Sequence, residues 1–497
     1  MSTAAPSHLR LGNKPVRRSD DRTSREVPVD LLTIVYLSSL AAIFGYAVFH
    51  VAGVPAEDWS VCLLALGFLG LVYWFRTSRA DRAPPLDRKL RWLLVLLCGY
   101  VVFQLVPLPS FLLRLLSPAR AELLDGAAQA VPGIALAPLS VVPSATLSHF
   151  LRIAGYALVF LLVREITWRI SHRPWTLAFP IILIAALEAG LGLLQQTVGE
   201  PGAIARGTYI NRNHFAGLLK MALSFAVIYP VAVMRRVRSR RRSPAGPAVK
   251  ACAVLAVAAV LLLGIIYSLS RMGLIAALCS LLVMGILALS PGLSARGKFL
   301  MVGSIAVLVM LSFVFLPPDR LIMRFAQLSS AEEITAEGRL LLWGETLDLI
   351  AAYPLFGCGL GAYESAFLKY KVSHPLLTAD YAHNDYLQLF AELGMIGFSI
   401  AAALMLAVLA KAVRAASRHS ELNSRFLALA CVGAMVAILI HSLVDFNLYI
   451  PANALLLAWI SGISAGLTFS SRKHSVWKAL GVPEVLDVDH SRILANG

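Results

Sequence analysis

A run of about 20 apolar residues is long enough to cross a bilayer as one helix. In this chain such runs recur from end to end. Twelve are read, at 29–51, 58–75, 92–108, 147–164, 176–196, 214–234, 251–269, 272–291, 299–317, 389–410, 426–444 and 449–470. The pattern predicts an all-α fold, a polytopic membrane bundle of about twelve transmembrane helices. Composition agrees. Of 497 residues 58% are hydrophobic and 14% charged, with mean hydropathy +0.74, whereas a soluble chain is about half apolar and a quarter charged. This balance excludes a disordered chain, a disulfide-rich secreted scaffold and an ordinary cytosolic enzyme.

An even number of spans puts both termini on one side, and the excess of Lys and Arg in inner loops chooses the side. With both termini in the cytoplasm, 32 of the 44 Lys and Arg residues are inside. The densest run, Arg235 to Arg242, is among them. The net charge of +16 is thereby explained as a topology signal, with no nucleic acid needed. The expected order is a polar cytoplasmic tail (1–28), nine spans with short loops (29–317), a large periplasmic loop subdomain (318–388), three more spans (389–470) and a cytoplasmic tail (471–497). No signal-peptide cleavage site is read after the first apolar run. Five of the six cysteines lie in apolar stretches, and only Cys358 falls in a loop, so no disulfide framework or zinc spacing is read.

Three outer loops stand out. Loop 109–146 is rich in Pro, Leu and Ala and suits a short interfacial helix. Loop 197–213 ends in Arg206-Gly207-Thr208-Tyr209-Ile210-Asn211-Arg212-Asn213. Loop 318–388 is long enough to be functional. It reads as two helices around a glycine turn, with a capping box at Ser330 to Glu333, Leu340, Trp343, Leu347 and Ile350 at helical spacing, and Pro354 as the stop. Arg339 sits early in that helix, where a cation opposes the helix dipole and invites an anionic partner; pairing with Glu333 or Glu337 is the plainer reading. Gly357-Cys358-Gly359-Leu360-Gly361 lacks the strand of a phosphate loop and reads as a flexible turn.

Arg271 falls in a tight link between two apolar spans, where an arginine is costly and suggests function more than snorkelling. His383 lies in the densest polar group, Asp380-Tyr381-Ala382-His383-Asn384-Asp385, at the mouth of the tenth span. Its side chain suits a general base. A metal set of His374, Asp380, His383 and Asp385 matches no strong motif. Two guanidinium groups and one imidazole on one membrane face suit glycosyl transfer from a lipid diphosphate, because the departing diphosphate needs its charge stabilised. A transporter would prefer ionisable groups near mid-membrane. Only Arg152, Glu188 and Lys220 are such groups here. A non-catalytic assembly partner is the third class.

Several pieces in order resemble the O-antigen ligase and polymerase family of bacterial envelope enzymes, over roughly residues 200–470. They are Gly207-Thr208-Tyr209 to His214, Ser270-Arg271, Gly338-Arg339 to Trp343, Tyr353 to Gly359, Ala382 to Leu387 with Glu392-Leu393-Gly394, and His441 to Phe446. The resemblance implies a GT-C-like transferase in the bacterial inner membrane with its site facing the periplasm. The donor it implies is an undecaprenyl-diphosphate-linked glycan. The implied acceptor is lipid A-core for a ligase, a second lipid-linked repeat unit for a polymerase, or protein. No metal or nucleotide cofactor is implied. Carried onto this chain, Arg271 and Arg339 would bind the diphosphate and His383 would activate the acceptor hydroxyl, with inversion at the anomeric carbon. Arg206, Asn211, Asn213 and Asn384 would be further substrate contacts. The ligase reading comes first and the polymerase reading second.

Overall fold

In hydrocarbon every backbone N–H and C=O must find a partner within the protein, so long apolar segments become helices. The computed structural model describes residues 30–77, 84–130, 135–199, 203–240, 245–289, 336–373 and 379–479. It is built almost wholly of helices. They are α1 (Leu31–Phe49), α2 (Ala56–Arg76), α3 (Arg88–Leu105), α4 (Ser110–Leu116), α5 (Pro118–Ala130), α6 (Pro143–Arg169), α7 (Phe179–Val198), α8 (Arg212–Arg240), α9 (Ala245–Tyr267) and α10 (Arg271–Leu289). After an interval come α11 (Ala336–Ala352), α12 (Tyr363–Phe367), α13 (Asp385–Arg418), α14 (Leu422–His441) and α15 (Pro451–Ala479). A short strand pair, Leu108–Pro109 with Leu136–Ala137, closes the 109–146 loop around α4 and α5.

Among the described residues nine helices are long and apolar enough to cross a membrane. Three of the twelve expected spans account for the difference. The third forms α3, but Arg88, Lys89 and Arg91 occupy its first turn and shorten its apolar part. The twelfth forms α15, whose apolar part, Pro451–Leu467, is short for a crossing. The ninth, 299–317, lies outside the described residues, as does the capping box at Ser330 to Glu333.

Helices α8 and α14 form the centre. Each is 72% buried over its most apolar window, against 22% for α2 and α13. Small residues allow this. The two helices pack against each other, and both bury small residues, Ala216, Ala222 and Ala226 on α8 and Ala428, Ala430 and Ala434 on α14, which permit the close approach that drives helix association where there is no water to expel. Ser280 of α10 joins them, donating to Gly433 O at 2.8 Å and meeting Ser224 at 3.1 Å.

The two ends of the bundle differ in chemistry. At one end Arg169 approaches Asp30 at 4.0 Å and Lys411 meets Asp87 at 2.6 Å. The other end gathers the starts of α8, α10, α13 and α15 with the ends of α9 and α14. All the candidate site residues lie there.

The 318–388 loop contributes α11 and α12, and its chain stops at Ala352, just before Pro354 as expected. The buried face of α11 is Leu342, Thr346 and Leu349. Leu340 and Leu347 are exposed, so the helical spacing was right and the phase was one step off. The described part of the loop is not a free-standing unit. Leu342, Tyr353, Cys358, Tyr363 and Phe367 share their small core with Ala391 of α13 and with Val141 and Val142.

The glycine turn is buried and tightly held rather than flexible. Helix α13 breaks at Gly394 (φ 62°, ψ −177°), and segment 354–359 wedges into the gap. Met395 N donates to Pro354 O at 2.9 Å, Cys358 N to Ala391 O at 2.9 Å and Gly359 N to Glu392 O at 3.0 Å. Gln104 Nε2 and Tyr100 OH cover Glu392 O and Leu393 O at 2.9 and 2.6 Å. The backbone groups freed by the break are thereby satisfied, which a broken helix at membrane depth requires. A Cβ on Gly394 would lie 2.4 Å from the Leu355 carbonyl carbon, so only glycine fits.

Candidate functional site

The connector between α14 and α15 carries the centre of the site. His441 ends α14, and Asp445 follows one helical step later, so both face the same way. Asp445 is 1% exposed, yet it lies among three imidazoles. His214 Nε2 is 3.3 Å from Oδ1, His383 Nδ1 is 3.9 Å from the same oxygen, and His441 Nε2 is 3.9 Å from Oδ2. The Phe446 N–H donates to Oδ1 at 2.8 Å. Oδ2 has no hydrogen-bond partner among the described residues. Burial alone would raise the Asp445 carboxyl, but His214, His441 and His383 hold it well below the ordinary carboxylate range. Deeper in the bundle Lys220, 1% exposed, contacts His441 Nδ1. A line of ionisable groups thus runs from inside the membrane segment to the site.

His383 is fixed from both sides. Ala382 N donates to Gln388 Oε1 at 2.7 Å and Ala382 O accepts from Trp343 Nε1 at 2.9 Å. On the other side Asp385 N donates to Ser442 O at 2.9 Å. Between them His383 adopts φ +48°, a left-handed conformation that costs a β-carbon residue energy and is kept only where the surroundings enforce it. Its ring packs edge-on to Phe446 at 4.9 Å between centroids, and Tyr381 stacks on the same Phe446 at 4.0 Å and 7°.

Arg339 reaches the same connector from the loop. Its Nη1 donates to Val444 O at 2.9 Å, next to Asp445. Two residues expected on separate grounds, His383 and Arg339, therefore meet at one connector. Arg271 is the first residue of α10, after a turn in which Leu269 takes φ +55° and Ser270 Oγ caps Gly273 N at 3.2 Å. Helix starts carry positive potential, so the guanidinium and the dipole reinforce one another toward an anion. Gly273 packs against Ala216, in the turn of α8 that begins at His214. Arg271 is exposed at the same end as His383.

The remaining candidates divide. Arg206 is exposed on a loop pinned below it: Gln195 Oε1 accepts from Arg206 N at 3.2 Å and Gly207 N at 3.0 Å, and buried Glu188 accepts from Thr208 N at 2.6 Å. Ala205 N donates to Tyr267 O at 3.2 Å, which ties this loop to the Arg271 turn. Asn213 is half-buried beside His214. Asn211 and Asn384 have their side-chain oxygens occupied as helix caps, Asn211 by Asn213 N at 2.7 Å and Asn384 by Tyr386 N at 3.0 Å. Among the described residues no group of three or more His, Cys, Asp or Glu is placed to hold a metal ion. His374 lies outside the described residues, and the Asp385 carboxylate accepts from Leu448 N at 3.1 Å.

Sequence reading named His214 and the His441 to Phe446 run only as pieces of the resemblance and Lys220 only as an ionisable group within a span, and gave none of them a role in the site. The signal was a histidine and an aspartate four apart at the end of an apolar helix, which a lone span count treats only as a weak boundary.

Residues 255–402 match a protein-family model described as O-antigen ligase. Arg271, Arg339 and His383 all lie inside the matched segment. Comparison with curated proteins gives no match.

Proposed function

We propose that this multi-pass membrane protein, whose residues 255–402 match the O-antigen ligase family model, transfers a glycan from undecaprenyl diphosphate to an acceptor hydroxyl at the periplasmic face of the inner membrane. The observation that carries the reading is the meeting of His383 and Arg339 at the Val444–Asp445 connector, at the end of the bundle where α10 presents Arg271.

In this reading the donor's diphosphate lies against Arg271 and Arg339. Arginine pairs with phosphate oxygens through charged, often bidentate hydrogen bonds. Asp445 holds the Nδ1 side of His383, so Nε2 is the nitrogen left to take a proton. The acceptor hydroxyl loses its proton to Nε2 as its oxygen bonds to the anomeric carbon from the face opposite the diphosphate. The bond from that carbon to the phosphate oxygen breaks, the electron pair leaves with the diphosphate, and the configuration inverts. The two guanidinium groups stabilise the charge that builds on the leaving oxygen. An aspartate that orients an imidazole toward a hydroxyl is a recurrent arrangement, and the 3.9 Å separation would close as substrate binds. The protein supplies base and anion clamp from its own side chains, without metal or nucleotide.

Ligation to lipid A-core is the first form of this activity and polymerisation on a second lipid-linked repeat unit the alternative. A deletion strain carrying wild type, Arg271→Gln, Arg339→Gln or His383→Gln tests it. Each variant should lose surface glycan while protein in the membrane holds. Long lipid-linked chains beside bare lipid A-core would indicate ligation, and single lipid-linked repeats would indicate polymerisation. Normal glycan in all three variants would sink the reading.

A further inference from the structure

The transfer proposed above uses His383 and Asp445 and gives no part to Lys220, a cation inside the bundle. Lys220 lies about 12 Å along α8 from Arg212, at 1.5 Å per residue, and it is buried. A lysine at that depth is costly unless the protein answers its charge. Its Nζ contacts His441 Nδ1. His441 is itself buried at the end of α14, and its other ring nitrogen, Nε2, is 3.9 Å from Asp445 Oδ2.

The two neighbours of His441 select the same tautomer. An ammonium has three donors and no acceptor, so the nitrogen it meets must offer a lone pair. A carboxylate only accepts, so the nitrogen that faces it carries the proton. His441 then has a bare Nδ1 and an Nε2–H. The ring passes the donor character of the lysine on toward Oδ2, the Asp445 oxygen with no hydrogen-bond partner among the described residues. The other oxygen, Oδ1, faces His214 Nε2 at 3.3 Å and His383 Nδ1 at 3.9 Å.

The charged and titratable groups around this line come from every element packed on it. Helix α8 gives His214 and Lys220, α14 gives His441, the connector gives Asp445, and the start of α13 gives His383 and Asp385. Helix α11 adds Arg339, whose Nη1 is held by Val444 O at 2.9 Å. The Asp385 carboxylate is occupied by Leu448 N at 3.1 Å. A buried carboxylate among neutral imidazoles draws a proton onto one of them, because an unpaired charge there is expensive. If His383 took that proton, the base would be spent before substrate arrived. Lys220 provides a positive charge that is not on any of the three rings.

We infer that Lys220 is a positioning residue for the transfer: acting through His441, it balances Asp445 and so keeps His383 neutral until the acceptor delivers its proton. This inference takes His383 as the base, as proposed above. No proton travels along the line. Only the acceptor's proton moves, to His383 Nε2, and the imidazolium then faces Asp445.

The first arm of the test needs no substrate. Full-length protein labelled with [15N]histidine is placed in phosphatidylethanolamine–phosphatidylglycerol vesicles, and solid-state NMR reads the imidazole nitrogens at pH 7. The His441 signals are assigned by difference against His441→Gln. Wild type should show a bare Nδ1 and a protonated Nε2. Lys220→Met should bring up a protonated Nδ1, and Lys220→Arg should keep the wild-type pattern. A protonated His441 Nδ1 in wild type overturns the proposal, and that result does not depend on how any Lys220 variant folds. The second arm measures the transfer rate against pH in membranes of the deletion strain carrying each variant, which hold both donor and acceptor. Lys220→Met should move the acid limb up by about one pH unit, the order expected for one lost charge at an effective dielectric constant of about 20. The rate should then fall about tenfold on the acid side and stay within a few-fold on the alkaline plateau. Lys220→Arg should return the limb to its wild-type place. A lysine that only supports the fold would lower the rate equally at every pH, so a parallel loss or an unmoved limb overturns the proposal. Full activity in His383→Gln would overturn the transfer mechanism instead, whatever the tautomer of His441.

Discussion

Glu392 and Asp445 are buried carboxylates at the same end of this bundle, and their surroundings differ in kind. Glu392 accepts from Tyr449 OH at 2.6 Å, Gly361 N at 2.8 Å and Gln388 Nε2 at 3.2 Å, all neutral donors at good distance. Asp445 faces three imidazoles at 3.3 to 3.9 Å and, among the described residues, leaves Oδ2 without a hydrogen bond. A fully satisfied buried acid fixes a structure. An under-satisfied one beside imidazoles is poised to act on something else. Glu392 clasps the glycine wedge into the break of α13, and Asp445 lies 3.9 Å from the imidazole proposed as the base.

The largest effect that sharpens this contrast comes from His383→Gln. Loss of a general base costs about 10²- to 10⁴-fold in turnover. Thermal melting of the purified variant should stay close to wild type, because the backbone around His383 is held by Ala382 and Asp385. Turnover within a few-fold of wild type would remove His383 from the chemistry and leave Asp445 with no substrate-facing partner.

Arg339→Gln comes next, with about 10²- to 10³-fold lost, the range for one donor to a developing anion. The Val444 carbonyl keeps an amide partner in this variant, so stability should hold. A loss confined to melting temperature would make Arg339 a strut between α11 and the connector.

Glu392→Gln tests the other carboxylate. It removes an acceptor from a buried network, and an unsatisfied buried donor costs about 1–3 kcal/mol. The melting midpoint should fall, while turnover of the folded fraction stays within a few-fold. Gly394→Ala should act in the same direction and more strongly, since its β-carbon would meet the Leu355 carbonyl. Wild-type stability with lost turnover in Glu392→Gln would erase the distinction between the two sites.

The same contrast explains what could be read in the sequence. Hydropathy runs predict helices well because lipid leaves the backbone no alternative, and most of the twelve expected spans reappear as helices. His383, Arg271 and Arg339 were legible because a charged or titratable group beside an apolar run is rare enough to notice. The Asp445 cluster was not, because its members come from α8, α13 and α14 and converge only through tertiary packing. The wedge at Gly394 was missed for a related reason. Nothing in a helical pattern announces that residues 354–359 will fill a break some 40 residues later, and glycines there read equally well as slack. The caps at Asn211 and Asn384 were not read either, because a polar residue at a helix start gives no sign in the sequence that its oxygen is bound to backbone.

The smallest effect concerns acid. Three imidazoles hold the Asp445 carboxyl below its ordinary range against the opposing push of burial, while in the unfolded chain it titrates near about 3.9. A carboxylate depressed on folding stabilises the folded state at every pH above its unfolded value. That contribution is lost as pH falls through the folded value, because the unfolded chain takes up a proton that the native site refuses. Asn at 445 has no such proton to exchange. In detergent, the difference between the melting midpoints of wild type and Asp445→Asn should therefore shrink as pH falls below about 4. Glu392→Gln should show no such convergence attributable to a depressed acid, since its partners are neutral. A gap between wild type and Asp445→Asn that stays constant to pH 3 would mean that shape, not the carboxylate charge, is what the three histidines hold. The contrast between the two acids would then rest on His383 and Arg339 alone.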